Sequence, residues 1–326
     1  MNISECKSTL APYIAGLIDE KHALGYKYTT SARILKRFDR YWLKHGYDDP
    51  SLTADRLAEW VQKTDSEGPG QLRHRILVVR QLSYYLNGLS IPSYIPPLDV
   101  RSEKPLRHLL TKSEIKELFV QIDAHMPHGK GARSAYKRMA KAYSLLFRLI
   151  YLHGMRISEA CRLPVSQIDL DNGIITILDG KSGTDRLIYM AEDTRLLCIA
   201  YVEYLKRTLG KLPAWLFPGS NMEKPVSISA VEREFNVFWE KTPFAKYCDK
   251  KPTVHDLRHA FVVHRINLWL EQGLNFELML PYLSKFLGHK GFNETFYYYH
   301  YAEEAASTIR KMDTVTDRVI PEVMRR

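Results

Sequence analysis

The sequence predicts a mainly α-helical chain of two domains, with a small antiparallel β-hairpin in the second domain. Three observations lead to this fold class. Apolar residues recur at helical spacing along most of the 326 residues, prolines concentrate between residues 91 and 108, and residues 173–190 place turn residues between two strand-like runs. A hydrophobic content of 45% is sufficient for two ordinary cores.

The proline-rich stretch separates the two predicted domains. We expect a helical domain over residues 1–90, an extended linker with four prolines over residues 91–108, and a second domain over residues 109–326. Thr111 and Glu114 have the spacing of a capping box, in which each side chain accepts a hydrogen bond from the other residue's backbone N–H. A helix is therefore expected near the start of the second domain.

The charge balance favours a polyanionic partner. The net charge is +10 and the pI is near 9.2, which is typical of nucleic-acid binding, although a basic surface also serves solubility. The cysteines lie far apart, which predicts reduced thiols and neither disulfides nor a zinc site; they are Cys6, Cys161, Cys198 and Cys248. Neither a signal-peptide pattern nor an apolar run of membrane-spanning length is found, so we expect a cytoplasmic protein without a membrane partner.

Two helices of the first domain are predicted to combine an apolar face with a basic stripe. The apolar positions are Ile34, Leu35, Phe38, Tyr41 and Trp42 in the first helix, and Leu72, Ile76, Val79 and Leu82 in the second. The basic positions are Arg33, Arg37, Arg40 and Lys44 in the first helix, and Arg73, Arg75 and Arg80 in the second. Such a stripe is either a solvated surface or a row of phosphate contacts, so these residues are candidate DNA-binding residues.

The second domain is predicted to begin with another basic helix, followed by the hairpin. Arg133, Lys137 and Lys141 have helical spacing ahead of a long apolar run, and they are further candidates for DNA contacts. Residues 173–178 and 186–190 are typical of strands, and the turn residues between them place Lys181 near the hairpin tip.

A long apolar helix is predicted over residues 254–273, and its first turn carries His255 and Arg258. These two residues are three apart, so their side chains share one face and can address one phosphate together. His255 and His259 also have the spacing of a metal-binding pair. Zinc proteases place a Glu after the first His, whereas Asp256 stands there in this chain and a permanent cation lies between the histidines, which disfavours a metal site.

Five stretches resemble the signature blocks of the tyrosine recombinase, or phage integrase, family. In order they are HGMRISEACRL (153–163), GKSGTDRLIYM (180–190), HDLRHAF (255–261), LSKFLGH (283–289) and ETFYYYH (294–300). The linker and the first domain resemble that family's core-binding domain. The resemblance implies a two-domain clamp, formed by a helical core-binding domain and a mixed α and β catalytic domain. It also implies a site-specific recombinase that cleaves and rejoins DNA through a 3′-phosphotyrosyl bond.

The resemblance assigns a phosphate-binding role to Arg156 and Arg258. Negative charge accumulates on the phosphate oxygens in the transition state, and a guanidinium group is permanently charged and can bind two oxygens at once. Arg156 could instead cap a helix or pair with Glu159, which as a partner would orient it. By the same resemblance, His289 donates a hydrogen bond to a non-bridging oxygen of the phosphate.

The resemblance also names the groups that move protons. His255 would act as general base, with His259 packing against it or orienting it. Lys181 would protonate the departing 5′ oxygen, although a lysine at a hairpin tip often has no role beyond solubility. The block departs from the family pattern, because Thr184 and Asp185 stand where a second lysine is frequent.

Tyr298 is the expected nucleophile, although several tyrosines are crowded together. The family places one residue between the nucleophile and a following histidine, and His300 therefore selects Tyr298 over Tyr297, Tyr299 and Tyr301. A phenol with an ordinary pKa near 10 needs a base or a cationic site before it attacks.

The expected partner is double-stranded DNA at a specific site, bound by a homotetramer in the synaptic complex. Residues 302–326 are expected to form a tail that docks on a neighbouring protomer or packs on its own domain. We expect no cofactor and no metal, a location at the bacterial nucleoid, and possible accessory proteins for bending or directionality. The biological role would be integration or excision of a mobile element, or a related rearrangement. The alternatives are a type IB topoisomerase and an inactive DNA-binding protein.

Overall fold

The computed structural model describes residues 6–100, 108–125, 134–178, 185–289, 291, 294 and 295. The chain divides into two compact units, Met1–Pro105 and Leu106–Arg326. Separate clusters of buried apolar side chains form the interior of each unit. No helix in these described ranges is long and apolar enough to cross a membrane.

The first unit is helical. Its helices are α1 Ala11–Ala23, α2 Thr29–Lys44, α3 Ala54–Val61 and α4 Pro69–Gly88. Leu35, Phe38 and Trp42 on α2 are fully buried, as their spacing predicts, whereas Ile34 and Tyr41 are half-buried at the edge of the core. The predicted apolar positions of α4 are buried as well. Burial of each such side chain contributes roughly 1.5–3 kcal/mol, so these two faces supply much of the stability of the unit.

The second unit packs its helices around a central one. They are α5 Lys112–Asp123, α6 Ser134–His153, α7 Ile157–Cys161, α8 Glu192–Leu209, α9 Ile228–Glu240, α10 Val254–Glu271 and α11 Phe276–Leu287, with 3-10 turns at Val165–Gln167 and Pro243–Tyr247. The central helix, α6, contacts α5, α7, α8 and α10. Thr111 caps α5 as predicted: its Oγ1 accepts from the Glu114 N–H, and Glu114 accepts from the Thr111 N–H at 2.8 Å.

A three-stranded antiparallel sheet lies in the same unit. Its strands are β1 Ile168–Asp169, β2 Ile174–Ile177 and β3 Arg186–Tyr189, in the order β1-β2-β3. The register sets Ile174 opposite Tyr189 and Ile177 opposite Arg186, which confirms the predicted hairpin. The sequence did not predict β1, because a strand of two residues is too short to show an alternating pattern. Arg186 therefore stands at the base of the turn, at the start of β3.

The helix that carries His255 and Arg258 begins at a second capping box. Thr253 is the N-cap of α10, and Asp256 accepts a hydrogen bond from its N–H at 2.7 Å. The helix ends at Glu271, two residues before its predicted end at Gly273. Most of its circumference is buried between two apolar clusters, so packing anchors its first turn.

Candidate active site

Arg156 lies where the chain turns from α6 into α7. Gly154 has a φ of +58°, and a Cβ atom there would come within 2.7 Å of the Phe261 ring and 2.9 Å of a Leu287 methyl group, so only glycine fits this turn. Arg156 is the N-cap of α7, and its N–H donates to Glu159 Oε2 at 2.8 Å. Its guanidinium group donates to Glu159 Oε1 at 2.9 Å, which is the predicted partner.

The carboxyl end of α11 holds both predicted phosphate-binding arginines. A helix end leaves carbonyl oxygens without helical partners and carries the negative end of the helix dipole, so it attracts cations. The Gly288 carbonyl accepts from Arg156 Nη2 at 2.9 Å, and the Leu287 carbonyl accepts from Arg258 Nη2 at 2.8 Å. Gly288 itself is the left-handed C-cap, with a φ of +64°. Two residues 102 positions apart in sequence thereby meet at one helix end.

Arg258 is almost fully buried, with 2% of its surface exposed. Its Nη1 donates to the Gly154 carbonyl, and its Nη2 also lies 3.1 Å from His289 Nε2. An arginine can only donate, so this contact makes Nε2 the acceptor. The turn at Gly154, the first turn of α10 and the end of α11 are therefore joined through one side chain.

His289 is neutral in this environment. Its Nε2 accepts from Arg258, so its Nδ1 carries the proton and donates to Thr295 Oγ1 at 2.7 Å. Burial, and then the positive charges of Arg258 and Arg156, lower the pKa of His289 to about 4. Thr295, which no sequence pattern indicated as a site residue, lies six residues after His289 and is fully buried.

Arg186 is a second residue of the site that was not predicted from the sequence. Its Nη1 and Nη2 donate to Glu159 Oε1 and Oε2 at 3.0 and 2.6 Å. Burial by itself raises the pKa of Glu159, but hydrogen bonds and charge from Arg186, followed by those from Arg156, outweigh it and hold the pKa at about 2. A signal was present in the sequence, because alternation along β3 places Arg186 on the same buried face as Ile188.

The predicted general base lies at the start of α10. His255 is exposed, whereas His259 is buried, and their rings meet edge to face with centroids 4.4 Å apart. This is the packing contact expected of His259. Within the described parts of the chain, no three His, Cys, Asp or Glu side chains gather as a metal site.

Four predicted site residues lie outside the described residues: Arg133, Lys181, Tyr298 and His300. The described part of the site is nonetheless strongly cationic. Glu159 accepts hydrogen bonds from the guanidinium groups of Arg156 and Arg186, whereas Arg258 donates to the Leu287 carbonyl and lies 3.1 Å from His289 Nε2. The excess positive charge suits an anion with several oxygen acceptors, which is the chemistry of a phosphodiester.

Most of the described DNA-contact candidates are accessible. Arg33, Arg37, Arg40 and Lys44 are exposed along α2, and Arg73, Lys137 and Lys141 are exposed elsewhere. The first two of them line a cleft with Gln71 and His74 of α4. Arg80 is half-buried and donates to the Pro96 carbonyl, which ties it to the segment that follows α4.

The predicted DNA contact of Arg75 is wrong. Arg75 is 4% exposed and forms a two-pronged ion pair with Glu67, with its Nε and Nη2 donating at 3.0 and 2.6 Å. It also donates to the Trp60 and Gln62 carbonyls, and its guanidinium carbon lies 5.1 Å from the centre of the Trp60 ring. Because α4 turns this position toward α3, Arg75 stabilises the unit and cannot reach a phosphate.

Comparison with known proteins places this chain among recombinases. Residues 108–305 match the family model described as the phage integrase family. The putative integrase/recombinase y4rB of Sinorhizobium fredii is 27% identical over 300 residues, which cover 89% of this chain and 92% of that protein. The tyrosine recombinase XerA of Pyrococcus furiosus is 27% identical over 273 residues, or 82% of each chain.

Solved structures share the fold. The XerH site-specific recombinase, bound to palindromic difH substrate in a post-cleavage complex, has a TM-score of 0.62 at 19% identity and covers 95% of this chain and 85% of its own. The Tn1549 transposon integrase in complex with transposon right end DNA has a TM-score of 0.60 at 16% identity, over 92% and 98% of the two chains. The family model spans more than half of the sequence. The chain therefore belongs to the phage integrase family of tyrosine recombinases, which are enzymes that transfer DNA strands.

Proposed function

We propose that Arg156, Arg258 and His289 bind the scissile phosphate of a specific DNA site and form the phosphate clamp of this recombinase. The convergence of these three residues at the carboxyl end of α11 carries the proposal. Both guanidinium groups are held by main-chain carbonyls before DNA is present, so little reorganisation is needed when charge develops on the phosphate. One carboxylate, that of Glu159, balances part of their charge in the described cluster and leaves the rest for the substrate.

The cleavage step joins Tyr298 to the DNA. The phenol oxygen of Tyr298 attacks phosphorus, a 3′-phosphotyrosyl bond forms, and the bond from phosphorus to the 5′ oxygen breaks. His255 accepts the phenol proton, and the Lys181 ammonium group donates a proton to the departing oxygen. The products are a covalent protein–DNA adduct and a free 5′-hydroxyl.

The rejoining step reverses this chemistry with a different strand. A 5′-hydroxyl from the partner duplex attacks the phosphotyrosyl bond, its proton passes to the Lys181 amine, and the phenolate regains a proton from His255. Each bond broken is replaced by one of the same kind, so the exchange consumes neither a nucleotide nor a metal.

The first unit supplies an electrostatic surface for the duplex. Arg33, Arg37, Arg40 and Lys44 are exposed along one helix, and a rigid row of cations can follow phosphates and release their counterions. Arg73, Lys137 and Lys141 add exposed positive charge in the two units. These contacts hold the duplex; they do not by themselves read its sequence.

We also propose that the protein assembles into a tetramer on paired sites. A groove in the second unit is lined by apolar side chains that include Tyr189, Trp269, Tyr282 and Phe286. Tyr189 and Tyr282 are 63% and 71% exposed, which is costly for an isolated surface.

The tail offers matching chemistry for this groove. Its apolar residues recur at helical spacing and are Ala305, Ile309, Met312 and Val319. His153 and Thr194 line the same groove, and among the described residues their Nε2 and Oγ1 atoms have no hydrogen-bond partner. We infer that residues 302–326 of a neighbouring protomer occupy the groove.

The substrate is double-stranded DNA at a specific recombination site. Integration or excision of a mobile element, or a related rearrangement, is the role that fits best, since a transposon integrase shares the fold over nearly its full length. The protein would then act at the bacterial nucleoid, with any accessory protein bending the DNA or setting direction.

The nucleophile assignment is tested by covalent trapping. First, the DNA that becomes attached to the intact protein in cells is mapped at nucleotide resolution. A nicked substrate is then built from that site, so that cleavage releases a short fragment carrying the 5′-hydroxyl. This fragment diffuses away and the covalent adduct accumulates. We expect Tyr298→Phe to abolish the adduct while DNA binding is retained, because no other group replaces the phenol oxygen. Tyr297→Phe and Tyr299→Phe serve as matched controls and should still be trapped.

Two results would overturn this assignment. An adduct that persists in Tyr298→Phe and disappears in Tyr299→Phe moves the nucleophile by one residue. Failure of the intact protein to form any adduct on its mapped site contradicts the strand-transfer mechanism itself.

A further inference from the structure

We propose that Arg186 is a positioning residue of the phosphate clamp, acting on Arg156 through Glu159. The inference rests on the function proposed above and adds a residue that acts on the clamp through the Glu159 carboxylate. Arg186 and Glu159 are both deeply buried, with 5% and 7% of their side chains exposed. A buried ion pair of this kind is costly unless its hydrogen bonds are well satisfied.

The two oxygens of Glu159 bind both arginines. Oε1 accepts from Arg186 at 3.0 Å and from Arg156 Nη1 at 2.9 Å. Oε2 accepts from Arg186 at 2.6 Å and from the Arg156 backbone N–H at 2.8 Å. The carboxylate therefore fixes the main chain and the side chain of Arg156 at once, and Arg186 fixes the carboxylate.

Arg186 also packs against Gly288, the second residue that binds the Arg156 side chain. Gly288, whose carbonyl accepts from Arg156, packs on the Arg186 side chain so closely that a Cβ atom there would lie 3.0 Å from Nη1 and 3.3 Å from Cδ. Arg186 thus touches both groups that hold Arg156. The register of β3 against β2 sets its own position.

Charge balance explains why this support affects catalysis. With Arg186 present, the carboxylate is matched by a second, buried cation, and the charge of Arg156 is available to a phosphate. Without Arg186, Glu159 would be neutralised by Arg156 alone and would compete with the phosphate for the same guanidinium group. Loss of Arg186 should therefore weaken stabilisation of the phosphate charge specifically.

Three substrates separate this role from a general structural one. The first substrate is the mapped site with a normal scissile phosphate. The second carries a neutral methylphosphonate, which has less charge to stabilise. In the third, sulfur replaces the bridging 5′ oxygen, so the leaving group departs without a proton from an acid. The rate of adduct formation is measured for the intact protein and for Arg186→Met, which keeps the packing volume and removes the charge.

On the normal phosphate, we expect Arg186→Met to react about 10²-fold more slowly than the intact protein, as when a preorganised donor is removed. The defect should largely disappear on the methylphosphonate and persist unchanged on the sulfur substrate. Arg186→Lys, which keeps the charge but loses the two-pronged contact, should be intermediate on the normal phosphate. If thermal unfolding shows that Arg186→Met does not fold, Arg186→Lys takes its place on all three substrates.

Several outcomes would overturn the proposal. An equal loss on all three substrates would mean that Arg186 only maintains the fold, and rescue by the sulfur substrate would mean that it serves departure of the 5′ oxygen. No loss on the normal phosphate excludes any role. Arg156→Met is measured in parallel: if it reacts normally, the proposed clamp itself fails, whereas a defect in Arg156→Met with none in Arg186→Met rejects only this inference.

Discussion

His289 carries its proton on Nδ1 in the DNA-free protein, because Arg258 donates to Nε2 and Thr295 Oγ1 accepts a hydrogen bond from the Nδ1–H group. In this state Nε2 cannot donate to a phosphate oxygen. A bound phosphodiester brings negative charge among the cations that now depress the pKa of His289, so it favours a proton on Nε2. Under the proposed clamp, we therefore expect His289 to change its protonation when the phosphate arrives.

The pKa of His289 leads to a prediction about acid stability. Its folded-state pKa is about 4, below the ordinary value of 6.5, so the unfolded chain takes up a proton first as the pH falls. The contribution of this residue to the free energy of unfolding should decrease between pH 6.5 and pH 4 and be constant above that window. We expect His289→Asn, whose amide can still donate to Thr295, to reduce the pH dependence measured by urea unfolding of the full chain.

The pH dependence should not vanish in this variant. His153 is also buried, and burial followed by the charge of Arg265 lowers its pKa to about 4, so it contributes with the same sign in the same window. An identical pH dependence in His289→Asn and the intact chain would contradict the neutral, buried state described for His289.

At the scale of elements, the site is an arrangement of helix ends. Arg156 caps the start of α7, Arg258 lies near the start of α10, and His289 follows the C-cap of α11. Carbonyls that a helix cannot satisfy at its own end thus accept hydrogen bonds from the arginines that we propose to bind the phosphate. The close approach of these ends requires glycine at 154 and 288, both with positive φ.

Two arginines on α4 provide a matched pair for the next prediction. Arg75→Met should destabilise the first unit by about 3–5 kcal/mol, because it leaves the carboxylate of Glu67, whose side chain is only 10% exposed, without its partner. Arg73→Met should change the free energy of unfolding by no more than about 0.5 kcal/mol, since Arg73 is exposed. Urea unfolding of the full chain measures both effects.

The same two variants should differ in DNA binding in the opposite way, with Arg73→Met affected and Arg75→Met unaffected. The salt dependence of binding to the mapped site should fall by about one unit of slope in Arg73→Met if Arg73 contacts a phosphate. Folded Arg75→Met should keep the slope of the intact protein. A reduced slope in Arg75→Met with an unchanged one in Arg73→Met would reverse the assignment.

At the scale of the whole molecule, the chain joins a helical unit with exposed basic rows to a unit with a buried cationic site and an apolar groove. A groove with exposed tyrosines is stabilised when another surface covers it. The proposed occupant is the tail of a second protomer, which would link occupancy of one site to that of the next.

Two complementary variants test docking between protomers. Deletion of residues 302–326 leaves an intact groove and no tail, whereas Tyr282→Glu leaves the tail and places a charge in the groove. On DNA that contains two half-sites, each variant alone should bind without cooperativity between the half-sites. A mixture of the two should restore cooperative binding in gel-shift titrations, because one protomer then supplies the tail and the other supplies the groove.

The mixture discriminates between docking modes. A tail that packs on its own unit would leave the deletion variant defective in every combination, and the mixture would behave as the average of its components. Cooperativity equal to that of the intact protein in both single variants would exclude any role of the groove in assembly.

Sequence patterns predicted local structure well and side-chain partners poorly. The capping box at Thr111, the hairpin and the buried face of α2 all follow from spacing within a few residues, and the structure confirms them. Arg73 and Arg75 look alike in sequence, yet one is exposed and the other is buried against Trp60. Their difference depends on where α3 lies, which no local pattern encodes.

The sequence by itself determined the helical class, the hairpin, the basic surface and the ordered blocks that identify the family, because each depends on propensity, periodicity or motif spacing within a short segment. Tertiary structure decided which groups form the site. Arg156 meets the Gly288 carbonyl across 132 residues, and Arg186 meets Glu159 across 27. Such contacts arise when packing brings helix ends and a strand together, and burial then forces each polar group to find a partner.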